Sequence, residues 1–313
     1  MTGGTRPRRL LLLLLLVGVA ARAASGVVTD GLLPNGNFEQ GPDASQMNGT
    51  RVTSPNAMPK WEISGFVEYI GVLPIQTVYT SSGWDSYSFA FKARHSTVWL
   101  TIHNPGIEED PACGPLIDSI AIKNLSPPRR EKGNMLRNGD FEEGPFIFPD
   151  TAWGALVPPM DEDDVCPLPG WMVMSDTKVV KYVDAAHHAV PRGARGVELV
   201  AGREAALLQE VPTTPGRWYG LSFSVGDAGN GCAEPMVVEA YAARATARVS
   251  YESRGTGGFK RASLEFAAAA NLTRVVFQSY NHHMKPDGTL CGPVLDDVSL
   301  VSVRRHAARR LLL

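Results

Sequence analysis

Two pairs of carboxylates stand at matching places in motifs that occur twice along this chain. Glu39 and Asp118 lie in the first copy of the motifs, and Glu142 and Asp296 lie in the second. Carboxylate oxygens are hard ligands that suit calcium, with backbone carbonyl groups completing the shell. If the motifs of one copy meet in space, each pair predicts a structural calcium ion. The alternative is that these side chains cap turns or accept hydrogen bonds from backbone N–H groups.

Three other side chains are candidates for contact with a sugar. Trp153 lies in a Pro-rich loop and is a candidate for stacking on a sugar ring, although burial in the core is the alternative for every tryptophan here. Tyr280 and His282 lie in a polar loop between two strands, and loops at the ends of a β-sandwich often carry binding residues. His282 and His283 are adjacent and lack the spacing of transition-metal ligands.

Catalysis finds little support in the sequence. A glycosidase needs two carboxylates that flank a cleft at a defined separation. The carboxylates that recur in the two copies of the motifs do not indicate that arrangement. The sequence contains neither a Gly-x-Ser-x-Gly elbow nor a His-Glu-x-x-His motif. We therefore predict a protein without catalytic activity or a catalytic cofactor, and a glycan-acting hydrolase is the less favoured alternative.

The chain is an internal duplication. Residues 32–42 return as 135–145, and residues 113–122 return as 291–300, with matching Pro-x-Trp segments between them in the same order. Two long copies indicate tandem domains rather than a solenoid. The predicted division is a signal peptide (1–23), a first module (30–125), a Pro-containing charged linker (126–133), a second module (134–303) and a basic tail (304–313).

The two copies differ in length. Tyr69 and Gly83 are 14 positions apart, whereas their counterparts Tyr182 and Gly258 are 76 apart, so the first copy lacks about 62 residues near the Ile70–Gly71 junction. The corresponding part of the second copy is predicted to form several strands. A sandwich without these strands has unpaired edges and an uncovered core. We therefore expect the first module either to pack against the second or to be poorly ordered.

Apolar and polar residues alternate along much of the chain, as at 261–266 and 274–278, and turn residues interrupt the pattern at short intervals. Many short strands favour β-sandwiches of the jelly-roll type over a parallel α/β sheet. We predict an all-β chain of two tandem sandwiches, of which the first is incomplete. Terminal strands of a jelly roll lie close together, so the first and last motifs of each copy are expected to meet.

The N-terminus predicts secretion. Basic residues precede an unbroken leucine run at 10–16, and small residues with a plausible cleavage site at 21–23 follow it. The apolar stretch is too short to span a bilayer comfortably and no second one follows, so no membrane span is expected. The chain has 30 basic and 32 acidic residues, and this balance offers no electrostatic case for nucleic acid, which requires a concentrated basic face.

A secreted chain with four cysteines is expected to form disulfides. Cys232 and Cys291 both lie in the complete copy and are predicted to pair. Cys113 is the counterpart of Cys291, and its expected partner falls in the missing block, so a bond to Cys166 and a free thiol both stay open. Sequons that predict N-glycosylation occur at Asn48, Asn124 and Asn271.

Long stretches spread over nearly the whole mature chain have the specificity of a family signature. They are 30–39, 59–70, 103–115, 197–202, 257–263 and 291–298. These stretches resemble the plant cell-wall proteins grouped as domain of unknown function 642. The chain departs from that pattern at the Ile70–Gly71 junction, where the first module lacks a block.

The resemblance implies tandem galactose-binding-like modules in the cell wall or apoplast. It also implies binding to a wall polysaccharide (cellulose, hemicellulose or pectin) and association with pectin methylesterase. The main alternative is a protein-interaction scaffold that regulates wall enzymes without contacting glycan directly. These functions follow from the family and not from the residue spacing described above.

Overall fold

The structure is a computed structural model of the 313-residue chain. The residues it describes are 33–49, 51–62, 79–80, 82–98, 100–104, 114–149, 151–160 and 165–304. The signal peptide, the Ile70–Gly71 junction, Cys113 and the tail beyond Arg304 lie outside the described residues.

The described residues form strands and two 3-10 turns, at Ala44–Gln46 and Gly202–Glu204, and contain no α-helix. The strands are β1 (Met47–Asn48), β2 (Arg51–Val52), β3 (Ala155–Val157), β4 (Met172–Met174), β5 (Val180–Asp184), β6 (Arg195–Glu198), β7 (Ala206–Pro212), β8 (Trp218–Asp227), β9 (Pro235–Ala242), β10 (Ala245–Glu252), β11 (Phe259–Ala267), β12 (Leu272–Ser279), β13 (His283–Met284), β14 (Leu290–Cys291) and β15 (Pro293–Val303). The prediction of an all-β fold is confirmed.

Two antiparallel sheets form the sandwich of the second copy. One has five strands in the order β10-β9-β12-β7-β4, and the other has six in the order β11-β8-β15-β6-β5-β3. Alternate residues of each strand point between the sheets, as Leu221, Phe223 and Val225 do from β8. The rings of Phe223 and Phe277 meet edge to face across the core, with centroids 5.0 Å apart. Burial of these apolar faces is the main stabilising contribution to the sandwich.

The first and last motifs of the second copy lie side by side. The backbone N–H of Val298 donates to the carbonyl of Gly139 at 2.7 Å. The Asn134 side chain donates to the carbonyl of Val298 and accepts from the N–H of Leu300, both at 2.9 Å. In the first copy, Ile120 donates to Gly36 at 2.6 Å, which is the same bond at the equivalent positions.

A second shared feature explains why the Asn-Gly-x-Phe and Pro-x-Trp motifs recur. Asn138 has a left-handed φ of 48°, a conformation that Asn tolerates well. Its side chain donates to the carbonyls of Glu143 and Pro169, and its own carbonyl accepts from the indole N–H of Trp171 at 2.8 Å. The Trp171 ring packs against Phe141 at a centroid distance of 5.2 Å.

The first copy repeats this turn closely. Asn35 has a φ of 52°, donates to the carbonyls of Gln40 and Pro59, and accepts from the Trp61 indole at 3.0 Å. The centroids of the Phe38 and Trp61 rings are 5.1 Å apart. The motifs therefore encode a local hydrogen-bonded unit that forms in both copies, whether or not a complete sandwich surrounds it.

The rest of the first copy is an incomplete module. Among its described residues, regular strands are limited to β1 and β2, with two residues each. Leu116 is 80% exposed and Ile117 is 46% exposed, whereas their counterparts Val294 and Leu295 are fully buried. In the second copy β8 pairs with both β11 and β15, and the counterpart of β8 falls in the missing block. Loss of that central strand uncovers the apolar side chains on its neighbours.

The first copy also packs against the edge of the second. The N–H of Leu156 in β3 donates to the carbonyl of Ser86 at 2.7 Å, and the N–H of Ser88 donates back to Leu156 at 2.9 Å. Tyr79 and Leu156 share a small buried apolar cluster. An edge strand that is paired in this way no longer exposes its backbone groups for association with other chains.

Candidate functional site

On the outer side of the five-stranded sheet, five side chains at paired register positions form a row, with one residue on each strand. Arg248 on β10 lies opposite Glu239 on β9, which lies opposite Gln278 on β12. Gln278 is in turn opposite Ala206 on β7, which pairs with Met174 on β4. Because side chains of one register position share a face, these five residues form one line across the sheet.

The neighbouring row on the same face runs from Tyr241 on β9 through Val276 and Leu208 to Met172. Met172 and Met174 are 37% and 44% exposed, although they belong to a sheet strand. The face therefore has a polar end at β9 and β10 and an exposed apolar end at β4. We call these two rows the outward face.

Glu239 organises the polar end of the outward face. Its side chain is only 2% exposed, and it accepts hydrogen bonds from the Tyr241 hydroxyl at 2.6 Å, Arg248 Nε at 2.5 Å and Gln278 Nε2 at 3.0 Å. Burial by itself would raise the pKa of Glu239, but these three hydrogen bonds hold the pKa below its usual value. A buried carboxylate that is ionised and fully engaged fixes the geometry of the side chains around it.

Tyr280 lies at the end of this polar region under two guanidinium groups. The Arg203 guanidinium carbon is 3.7 Å from the ring centroid, and that of Arg248 is 4.6 Å away. Both distances are within the range of cation–π attraction. Arg203 also lies near Glu239, at 3.8 Å. The aromatic ring therefore holds two cations in place rather than presenting an open platform for a sugar.

An open groove adjoins Tyr280. Its volume is about 760 Å³, and the residues that line it are Glu234, Pro235, Tyr280, Asn281, His282 and His283. His283 Nδ1 lies 3.0 Å from a carboxylate oxygen of Glu234, while its Nε2 is buried without a hydrogen-bond partner. The side chain of His282 is 50% exposed. The two sequence-predicted residues Tyr280 and His282 thus lie together at one end of the outward face.

Trp153 lies elsewhere. Its indole N–H donates to the Ser86 hydroxyl at 3.1 Å, so the side chain contributes to the contact between the two copies. It is half-buried, next to β3 at the edge of the six-stranded sheet. The structure therefore does not place Trp153 with the other two glycan-contact candidates.

Sequence reasoning missed the residues that define the polar end: Arg203, Glu239, Arg248 and Gln278. They come from four separate stretches: strand register brings Glu239, Arg248 and Gln278 together, and the 3-10 turn Gly202–Glu204 adds Arg203. A usable signal was present at 236–241, where a glutamate interrupts an apolar run that forms a central strand. A charged residue at such a place needs partners, since burying it alone is costly.

The carboxylates predicted to bind calcium in the second copy converge on one loop. Glu142 accepts from the backbone N–H groups of Ala194 and Arg195 at 2.7 and 3.2 Å, and Asp296 accepts from the N–H of Arg192 at 2.7 Å. These bonds match the alternative in which the carboxylates serve the backbone. The described part of the chain contains no group of three or more His, Cys, Asp or Glu residues placed to hold a metal ion.

Two observations at this end of the module still fit a cation. Burial, together with the charges of Glu142 and Asp140, raises the pKa of Asp296 to about 8 even though Arg192 donates to it. One carboxylate oxygen of Asp140 is buried without a hydrogen-bond partner. A cation would offset this crowding of negative charge.

In the first copy Asp118 accepts from the N–H of Ser119, and Glu39 is exposed. Calcium stays a prediction at both places.

The predicted disulfide between Cys232 and Cys291 is present, with Cα atoms 6.0 Å apart. It joins the loop before β9 to β14, which pairs with β13 beside the groove. Cys166 is a free cysteine, and burial raises the pKa of its thiol to about 11, which makes it a poor nucleophile.

The sequon residues Asn48, Asn124 and Asn271 are all exposed, and their glycosylation stays a prediction.

The fold and the outward face define a duplicated β-sandwich protein with a preorganised polar surface on one sheet. A family model described as "Protein of unknown function (DUF642)" matches residues 31–72, 70–123 and 134–301. The chain belongs to this DUF642 family. The break between the first two matches falls at the Ile70–Gly71 junction, where the block was inferred to be missing.

Curated relatives agree with this assignment. "Protein DUF642 L-GALACTONO-1,4-LACTONE-RESPONSIVE GENE 2" of Arabidopsis thaliana is 46% identical over 93% of this chain and 97% of its own length. "Protein TEEBE" of the same plant is 40% identical over 88% of this chain and 92% of its own length.

Among solved structures, similar chains include TmCBM61 in complex with beta-1,4-galactotriose, with 18% identity, a TM-score of 0.35 and coverage of 54% of this chain and 99% of that one. A CBM4 structure has 12% identity, a TM-score of 0.32 and coverage of 53% and 98%. Within the described residues, no helix has the length and apolar character needed to cross a membrane.

Proposed function

We propose that this chain is a secreted, non-catalytic protein of the plant cell wall that binds wall polysaccharide through the outward face. The single observation that carries the proposal is the network around Glu239. It holds the Tyr241 hydroxyl, the Gln278 amide and the Arg248 guanidinium side by side on the same face of the five-stranded sheet.

The chemistry of this face suits a hydroxyl-rich polymer. Donors and acceptors that are already fixed lose little conformational entropy on binding, so their hydrogen bonds contribute more to affinity. Met172 and Met174 add exposed apolar area against which the C–H faces of sugar rings can pack. Four strand spacings separate β10 from β4, a width of about 19 Å, which accommodates a chain of several sugars.

The same network supports binding rather than catalysis. A glycosidase acid needs a raised pKa beside the scissile bond, together with a second carboxylate across the cleft. The Glu239 pKa is lowered, its side chain is nearly inaccessible, and its oxygens are occupied by three donors. Glu239 is thus better suited to positioning its neighbours than to transferring a proton.

A second candidate function has its own observation. Phe91, Leu116 and Ile117 of the first copy are 47%, 80% and 46% exposed. Contiguous exposed apolar patches are typical of surfaces that contact other proteins, so a patch formed by these side chains would suit such a contact. A scaffold that associates with a wall enzyme such as pectin methylesterase would use the first copy and leave the outward face free, so the two functions are compatible.

Depletion of the purified mature protein by insoluble cellulose, hemicellulose and pectin tests the main proposal. The matched variants are Met174→Ala, on the outward face, and Val301→Ala, which is similarly exposed on the six-stranded sheet. We expect retention on at least one polymer, weakened several-fold by Met174→Ala and unchanged by Val301→Ala. Absence of retention on every polymer would contradict direct glycan binding and leave the scaffold function.

The depletion assay also tests the predicted calcium ion when a chelator is included. If calcium orders the loop at 192–195, chelation lowers the melting temperature of the free protein and weakens retention together. An unchanged melting temperature in chelator would remove calcium from the proposal without affecting the outward face.

A further inference from the structure

Four separate elements bring an arginine cluster together at the polar end of the outward face. Arg203 belongs to the 3-10 turn Gly202–Glu204, Arg248 belongs to β10, and Tyr280 follows β12 directly. Glu239 from β9 lies beneath them. We use the term arginine cluster for these four residues.

The cluster is buried at its base and open at its top. The Glu239 side chain is 2% exposed, whereas the side chains of Arg203 and Arg248 are 51% and 61% exposed. Glu239 engages Nε of Arg248, and the described residues provide no hydrogen-bond partner for the two Nη groups of that guanidinium. Arg248 is therefore held at its Nε edge and presents its remaining N–H donors to solvent, and Arg203 lies 3.8 Å from the same carboxylate with half of its side chain exposed.

The charges of the cluster do not cancel. Two guanidinium cations face one buried carboxylate, so the top of the cluster carries excess positive charge. The nearby carboxylates have neighbours of their own: Glu204 lies 3.9 Å from both Lys178 and His282, and Glu234 lies 3.0 Å from His283. An anionic ligand group would meet its strongest complement at Arg203 and Arg248.

The exposed geometry favours a carboxylate over a neutral sugar. A neutral pyranose binds best where an aromatic ring is open for stacking, but the guanidinium groups lie over the ring of Tyr280. A planar guanidinium presents paired N–H donors that match the two oxygens of a carboxylate. We infer that the arginine cluster binds the carboxylate groups of acidic, uronic-acid-containing polysaccharide, an inference that rests on the proposed polysaccharide-binding function.

Affinity electrophoresis of the full mature chain tests this inference. The probes are polygalacturonate, the same polymer after methyl esterification, and neutral xylan, all in chelator so that calcium cannot bridge polymer and protein. We expect at least tenfold tighter binding of polygalacturonate than of its ester, and a loss of this preference as salt is raised.

Arginine variants assign the preference to the cluster. Arg203→Gln should weaken binding of polygalacturonate about tenfold with little change for xylan, and Arg248→Lys should do so partially because it keeps the charge but loses the planar donors. Arg274→Gln is the control, since Arg274 is an exposed arginine on β12 already paired with Glu210. Melting temperatures verify that each variant is folded.

The possible failures are distinguishable. Retention of xylan with equal binding of polygalacturonate and its ester would overturn the arginine cluster as a carboxylate site and leave the proposed function intact. Equal losses in Arg203→Gln and Arg274→Gln would also overturn it, because the effect would then be general charge. Absence of binding to every polymer would refute the proposed function and this inference with it.

Discussion

Buried charge has a structural role in the second copy, distinct from the outward face. Lys181 Nζ lies 3.0 Å from Glu198, and both side chains are almost completely buried. Glu198 also accepts from the Asn230 side chain and the N–H of Gly292. Although burial by itself would raise the Glu198 pKa, its partners hold the pKa below the usual value. The pair links β5 to β6 and to the segment before β15.

His188 beside this pair predicts a specific pH dependence of stability. Burial, reinforced by the positive charge of Lys181, lowers the pKa of His188 to about 4. In the unfolded chain its pKa is about 6.5, so between pH 6.5 and 4 only the unfolded state binds this proton. The free energy of unfolding should therefore fall as the pH falls through that window, by roughly 3 kcal/mol at most.

Urea unfolding at pH 7, 5.5 and 4.5 checks this expectation. His188→Gln keeps a polar side chain without a titrating group, so its stability should fall less steeply with acid than that of the parent chain. Parallel pH profiles for the two proteins would contradict a role for His188.

At the scale of single residues, the sequence predicts which side chains are candidates for binding, but not which of them lie together in the structure. Tyr280 and His282 are candidates because a polar loop between strands often binds ligand, and both line the same groove, with Tyr280 also part of the arginine cluster. Trp153 is a candidate for stacking on a sugar ring because it lies in a Pro-rich loop, and the structure places it instead against Ser86. A loop sequence indicates exposure to solvent, but it does not contain the register that decides which sheet face the loop adjoins.

At the scale of the element, the duplication makes a controlled comparison within one chain. Leu295 in β15 is fully buried and pairs with β8, whereas its counterpart Ile117 is 46% exposed. The difference follows from the missing block, because the two segments have similar sequences. The strands themselves were predictable from alternation and repetition. The exposure of apolar side chains in the first copy was not, because it depends on a neighbouring strand, the counterpart of β8, that the first copy lacks.

Alanine substitution at these matched positions should have unequal effects. Leu295→Ala removes buried methyl groups and leaves a cavity, and we expect it to reduce the free energy of unfolding by about 2–5 kcal/mol. Ile117→Ala should cost less than about 1 kcal/mol, since an exposed side chain loses little on truncation. Urea unfolding measures both, and similar losses would mean that Ile117 is buried by a partner in solution.

At the scale of the whole molecule, the two copies are joined by more than the linker. The backbone bonds between Leu156 and residues 86–88, with Tyr79 packed against Leu156, attach the first copy to the edge of the six-stranded sheet. The outward face belongs to the other sheet, so the two surfaces are separate. From the sequence alone, the first module could either pack against the second or be poorly ordered. A missing block shows which strands are lost, but it does not show where the remaining strands pack.

Oxidative footprinting with hydroxyl radicals tests the outward face most directly. Met172 and Met174 are exposed on that face and oxidise readily, while Trp84 of the first copy is similarly exposed and serves as the internal control. With a retained polysaccharide bound, we expect the oxidation of both methionines to slow several-fold while Trp84 reacts as in the free protein. Protection of Trp84 with unprotected methionines would contradict binding through the outward face.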